Sequence, residues 1–153
     1  MAGRTYRYFR GQPLYAFGFG LSYSTFAYGR LVLPARAKAG ETVVVKATVT
    51  NTGAVEGDEV VQLYVKDLAA SVPVPIRSLQ GFKRVHLKPR ESVTLSFELT
   101  ARQFSLIDDQ GRRVVEPGEF EISIGGGQPG KSAVGSQAAT AKVSLTGSTF
   151  LIE

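Results

Sequence analysis

From Phe26 onward the chain alternates apolar and polar residues over stretches of five to ten positions, and each stretch is closed by Gly, Pro, Asp or Asn. A period of two sends successive side chains to opposite faces, so each stretch reads as a half-buried strand, and no long helix is expected. In 42–50, Val43, Val45, Ala47 and Val49 share one face and Thr42, Lys46, Thr48 and Thr50 the other. In 58–67, Val61, Leu63 and Val65 turn inward against Gln62, Tyr64 and Lys66. In 92–100, Val93, Leu95, Phe97 and Leu99 do the same, as do Phe120, Ile122 and Ile124 in 119–124. Further strands are expected at 26–33, stopped by Pro34, and at 82–87 and 140–145.

Two apolar pairs, Leu106-Ile107 and Val114-Val115, flank a polar turn containing Gly111, the pattern of a short hairpin arm. Thr100-Ala101-Arg102-Gln103 has the form of a capping box and predicts one helical turn. Many short strands, each with a single apolar face, must hide those faces against one another. The expectation is an all-β, immunoglobulin/fibronectin type III-like β-sandwich of about seven strands. The 153 residues, 43% hydrophobic, suit one such domain, in which roughly 70% of the unfolded chain's surface is buried.

The first 28 residues are of another kind. Tyr6, Tyr8, Phe9, Tyr15, Phe17, Phe19, Tyr23, Phe26 and Tyr28 are nine of the 15 aromatics, and Gly11, Pro13, Gly18 and Gly20 interrupt any regular element. Residues 1–21 are therefore expected to form an irregular lead-in and 22–153 the sandwich. Such a strip is either a platform on which sugar rings stack or a docking strip that packs on another domain. Alternation of the aromatics with Gly, Pro and Leu favours docking.

Several chemistries are suggested and then fail on context. Gly125-Gly126-Gly127-Gln128-Pro129-Gly130-Lys131-Ser132 satisfies the phosphate-loop pattern after a strand. That chemistry needs a helix directly afterwards, whereas Ala133-Val134-Gly135-Ser136-Gln137 starts a helix poorly, so an inter-strand loop is expected. Glu119 and Glu121 lie at a spacing seen in inverting glycosidases, yet they project side by side from one sheet face and cannot flank a scissile bond. His86 is the only histidine and is expected to be solvated on a basic strand face. No Ser has a nucleophile-elbow context. Asp108 and Asp109 read as turn formers. Arg77, Lys83, Arg84, Lys88 and Arg90 could form a phosphate-contacting stripe, but a charged edge strand that blocks aggregation is the favoured reading. No catalytic residue, metal site or cofactor is expected.

The net charge of +5 names no partner, and neither nucleic acid nor membrane is expected. No apolar run approaches the ~20 residues of a membrane helix, and residues 1–10 carry charges with no following apolar signal-peptide region. The absence of cysteine excludes disulfides and leaves the compartment open.

Gly3-Arg4-Thr5-Tyr6-Arg7-Tyr8-Phe9, followed by Pro13-Leu14-Tyr15-Ala16-Phe17-Gly18-Phe19-Gly20-Leu21-Ser22-Tyr23-Ser24-Thr25-Phe26, resembles the junction before the C-terminal domain of glycoside hydrolase family 3. Val49-Thr50-Asn51-Thr52-Gly53, Val60-Val61-Gln62-Leu63-Tyr64-Val65, Leu79-Gln80-Gly81-Phe82-Lys83-Arg84-Val85 and Val115-Glu116-Pro117-Gly118-Glu119-Phe120 are similar to that family's fibronectin type III-like domain. The resemblance implies a β-glucosidase or β-xylosidase parent whose barrel supplies the nucleophilic Asp and whose α/β domain supplies the acid/base. Neither lies in this chain, so no catalytic residue carries over, and the chain by itself is expected not to be an enzyme. It implies an accessory domain that supports and contacts the parent's catalytic domains. The contact candidates are Tyr6, Tyr8, Phe9, Tyr15, Phe17, Phe19 and Tyr23. The alternative is a carbohydrate-binding module for polysaccharide that uses exposed aromatics, Tyr15 or Tyr64.

Overall fold

The protein is described by a computed structural model over residues 3–130 and 138–152. After a four-residue helix, α1 (Thr5–Tyr8), come the strands β1 (Phe26–Tyr28), β2 (Arg36–Lys38), β3 (Val43–Asn51), β4 (Gly57–Asp67), β5 (Ser78–Leu87) and β6 (Ser92–Leu99). A second helical turn, α2 (Ala101–Phe104), precedes β7 (Leu106–Ile107), β8 (Arg113–Val115), β9 (Gly118–Gly125), β10 (Ala139–Thr146) and β11 (Phe150–Leu151).

One sheet has the order β1-β3-β6 and the other β2-β10-β9-β4-β5, while β11-β8-β7 forms a small third sheet. The two larger sheets face each other across one core. Val43, Val45, Val49 and Leu99 from the first meet Val61, Leu63, Phe120, Ile122, Ile124 and Val143 from the second, all at 2% exposure or less. Each such side chain contributes roughly 1.5–3 kcal/mol of transfer free energy. The expectation of an all-β fold with two sheets packed over one core holds, and the period of two places the inward residues as expected.

The strand inventory is longer than the seven expected. β2 pairs in parallel with β10 (Ala37 opposite Leu145), and β11 pairs with β8. The expected strand 26–33 ends early at Tyr28. Phe26 is buried, but farther on Leu31, not an even-numbered residue, turns into the core and Val32 is exposed, so the parity changes and the ladder breaks. Only an isolated bridge between Val32 and Lys46 continues it. Strand β5 begins at Ser78 rather than Phe82, because a bulge that leaves Gln80 out of register lets Leu79 still pair with Tyr64. The helical turn α2 forms where Thr-x-x-Gln predicted it, with the Thr100 amide donating to Gln103 Oε1 at 2.9 Å.

Candidate interaction surface

The outer face of the five-stranded sheet would be solvated in a bare sandwich. Here Gln62 and Tyr64 on β4 are 7% and 1% exposed, because the lead-in lies across them, and Ser123 opposite Tyr64 on β9 is 3% exposed. Tyr6 stacks on Phe17 with ring centroids 3.9 Å apart and planes at 14°, and it meets Tyr64 edge-on at 6.4 Å. Tyr64 donates its hydroxyl to Gln62 Oε1 at 2.6 Å. Gln62 Nε2 in turn donates to the carbonyls of Gly18 at 3.3 Å and Gly126 at 3.1 Å.

Further bonds hold the lead-in along its length. The Gln128 amide donates to the Phe17 carbonyl at 3.1 Å, the Ile76 amide to the Arg7 carbonyl at 2.7 Å, and the Leu79 amide to the Tyr6 hydroxyl at 3.3 Å. Gly18 has φ +77, and a Cβ there would overlap the Gln62 amide group, so this glycine is needed both for its conformation and for the close approach.

Tyr64 therefore offers no surface to a sugar. The alternation that put it on the outer face is right, but a lead-in drawn from distant sequence covers that face. The rest of the strip is divided. Ala16 is buried, while Leu14 (92%), Tyr15 (67%), Leu21 (81%) and Tyr23 stand out in solvent, with Tyr8, Phe9 and Phe17 nearer 40%. Tyr15 leans on Phe19 at 5.0 Å. An open groove of about 630 Å³ runs among Tyr6, Phe9, Pro13, Tyr15, Phe17 and Gln128.

Behind the lead-in, Asn51 is fully buried and ties the sandwich end together. Its Oδ1 accepts from the Ser24 hydroxyl at 2.6 Å and the Gly53 amide at 2.9 Å. Its Nδ2 donates to the carbonyls of Val55 at 2.8 Å and Leu87 at 3.0 Å. Each polar atom of this amide is thus used, as burial demands.

The remaining groups singled out in the sequence are dispersed. Glu119 is exposed and pairs with Lys142 at 3.1 Å, consistent with a solvated sheet face. His86 is exposed, as expected, but its surroundings differ from the basic face expected. Its cross-strand neighbour on β4 is Asp58, whose Oδ1 lies 2.9 Å from Nδ1, with Glu56 at 3.7 Å from Nε2, so its company is acidic rather than basic. The hydrogen bond to Asp58 raises the His86 pKa. Asp58 is held below the usual carboxylate range, first by the hydrogen bond from Arg84 and then by that from His86.

Nor is there a basic stripe. Lys83 points over the Phe97 ring (5.3 Å to its centroid), Arg84 pairs with Asp58, and Arg77 donates from Nη1 to the Pro129 carbonyl at 2.6 Å. Successive residues on a strand face opposite ways, which scatters the charges. Asp108 forms a turn, its Oδ1 accepting from the Gln110 amide at 3.0 Å and the Arg112 amide at 2.9 Å. These amides, with the Arg112 guanidinium, keep its carboxyl low. Of the phosphate-loop match, Lys131 and Ser132 lie outside the described residues, as does 133–137. The described part, 125–130, packs on the lead-in, with Gln128 and Pro129 buried.

Residues whose role no motif flagged are Glu59, Gln62 and Asn51, and Gln128 stood only at a variable position of the phosphate-loop pattern. Gln62 and Asn51 sit in the family-like strings, but only their burial reveals a role. Glu59, on the inward face of β4, accepts the Tyr28 hydroxyl across the two sheets. Burial raises both groups: the Tyr28 hydroxyl strongly, and the Glu59 carboxyl against the opposing pull of that hydrogen bond.

The model of the fibronectin type III-like domain matches residues 59–128. The chain carries a fibronectin type III-like domain. Over most of its length the chain is similar to a segment of glycoside hydrolase family 3 enzymes. A β-xylosidase of Formosa agariphila is 49% identical over 121 residues, 78% of this chain and 17% of that protein. A periplasmic β-glucosidase of Salmonella typhimurium is 40% identical over 125 residues, 79% of this chain and 16% of that protein. The crystal structure of a GH3 β-glucosidase from Bifidobacterium adolescentis superposes with a TM-score of 0.72 at 39% identity, covering 86% of this chain and 18% of that one. The chain spans about a sixth of the length of these relatives. The residues matched to the fibronectin type III-like domain start at Glu59 and end at Gln128, so the lead-in that roofs it lies outside the match.

Proposed function

We propose that this chain is a non-catalytic accessory domain of a β-glucosidase/β-xylosidase-type glycoside hydrolase. Residues 22–153 are the sandwich, and residues 1–21 are a junction through which it supports and contacts the catalytic domains. One observation carries the reading. The lead-in is anchored from beneath through Tyr6, Phe17, Gly18 and Ala16, yet Leu14, Tyr15 and Leu21 on it, and Tyr23 just after it, turn outward with nothing over them. Large apolar side chains held out by a fixed backbone suit a partner surface.

The test is an exchange: the matching segment of the Formosa agariphila β-xylosidase is replaced by this chain. The chimera is expected to fold and keep its activity, and the Leu14→Ser, Tyr15→Ser, Leu21→Ser, Tyr23→Ser version to lose most of its activity or thermal stability. An unaffected quadruple variant would overturn the docking role, and turnover of aryl glucosides or xylosides by the isolated chain would overturn the non-catalytic reading.

A second reading, polysaccharide binding, is favoured by the groove beside Tyr15, whose aromatic walls and Gln128 amide match the apolar face and hydroxyls of a pyranose. Retention on insoluble xylan or cellulose that is lost in Tyr15→Ala would support it.

A further inference from the structure

At one end of the sandwich the lead-in, the start of β1 and the 126–128 turn enclose a pocket of about 130 Å³. Phe17, Phe19, Phe26, Gly126, Gln128 and Glu59 are among the residues lining it. Glu59 is half-buried, and one of its oxygens takes the Tyr28 hydroxyl. Among the described residues no cation pairs with it, in a chain that holds 18 Lys and Arg.

A carboxylate drawn out of water is costly until a cation reaches it. Two cations are on offer in a protein partner. An ammonium is compact and strongly hydrated, whereas a guanidinium is planar, weakly hydrated, forms paired bonds to a carboxylate and stacks on aromatic faces. Phe17 and Phe19, which line the pocket with this carboxylate and lie outside the core that holds Phe26, match the second. Leu21, on the pocket wall, and Tyr23, between two lining residues, are almost wholly exposed and would form an apolar rim that excludes water once covered.

The geometry points to a receptor for an arginine side chain of the partner that docks on the lead-in, with Glu59 as its counter-charge and Phe17 and Phe19 as its stacking walls. This rests on the docking reading above. Burial holds the Glu59 carboxyl above its ordinary value in the free chain, and an incoming guanidinium lowers it.

The pocket is tested on the full chain by NMR with ethylguanidinium as the probe and ethylurea as its neutral isostere. Saturable shifts are expected at the Glu59 carboxyl carbon and the Gly126 and Gln128 amides with ethylguanidinium. None are expected with ethylurea, and binding of n-butylammonium should be about fivefold weaker. Glu59→Gln, which keeps shape and the Tyr28 bond, should abolish the response. Phe19→Leu, which leaves the carboxylate in place, should weaken it. An equal response to ethylurea, shifts that survive Glu59→Gln, or shifts confined to Glu56 and Asp58 would overturn the assignment. In the chimera, activity that falls with the Leu14, Tyr15, Leu21 and Tyr23 substitutions but not with Glu59→Gln would overturn the arginine pocket alone. Activity indifferent to those four substitutions would overturn docking itself.

Discussion

Tyr6 meets Tyr64 edge-on, ring centroids 6.4 Å apart and planes at 76°, so the first aromatic of the lead-in roofs the centre of the longer sheet. Tyr6→Ala removes this contact and the stack on Phe17, and it should destabilise the chain by about 1–3 kcal/mol. Tyr6→Phe loses only the bond from the Leu79 amide and should cost less. Urea unfolding measures both, and a Tyr6→Ala midpoint equal to that of the parent would refute the roofing role.

Gly18 should tolerate no side chain. Its φ of +77 strains any other residue, and a Cβ would displace the Gln62 amide from the Gly18 carbonyl. Gly18→Ala is expected to free the lead-in while leaving the sandwich folded, at about 1–3 kcal/mol. Limited proteolysis should then cut within residues 9–21 much faster than in the parent.

Asn51 predicts a larger loss. Asn51→Ala leaves the Leu87 carbonyl buried without its partner and strips the half-buried Gly53 amide of its own, and roughly 2–4 kcal/mol should disappear from the unfolding free energy. Asn51→Asp fares little better, since it replaces a donor facing the Val55 and Leu87 carbonyls with an acceptor. Thermal unfolding of the two variants checks this, and a shift of only a degree or so would argue against the hub.

The Asp58–His86 pair sets a pH dependence at both ends. His86 is raised above its ordinary value of about 6.5, so its contribution is complete below that value and is lost as pH rises through the folded-state value. Asp58 is lowered from its ordinary value of about 3.8, so its contribution is present above that value and lost as pH falls through the folded one. Both groups are exposed, so the stability change should be slight and best read by NMR titration. The His86 midpoint should lie above 6.5 and return toward it in Asp58→Asn. A parent midpoint at or below the ordinary value contradicts the pairing.

The sandwich was legible because its signal is local. Val43 to Val49 and Phe120 to Ile124 alternate strictly, and a period of two has one structural meaning once each strand must bury a face. Three-residue β2 carries no such signal, since Arg36-Ala37-Lys38 becomes a strand only by lying alongside β10, far away in sequence. His86 is solvated as expected, but the charge of its surroundings was misjudged for a similar reason: its sequence neighbours are basic, whereas a strand residue's environment is set by its cross-strand partner, here Asp58.

The sequence by itself determined the all-β class, the inward residues, the helical turn at Ala101 and the separate character of the aromatic lead-in, all consequences of spacing along the chain. Only the tertiary structure decided where that lead-in goes. By laying Tyr6 and Gly18 across Tyr64 and Gln62, it buried a face that alternation alone leaves in solvent, and it enclosed Glu59 in a pocket. Alternation states which side of a strand a residue occupies; what covers that side depends on contacts between distant segments, which no local pattern encodes.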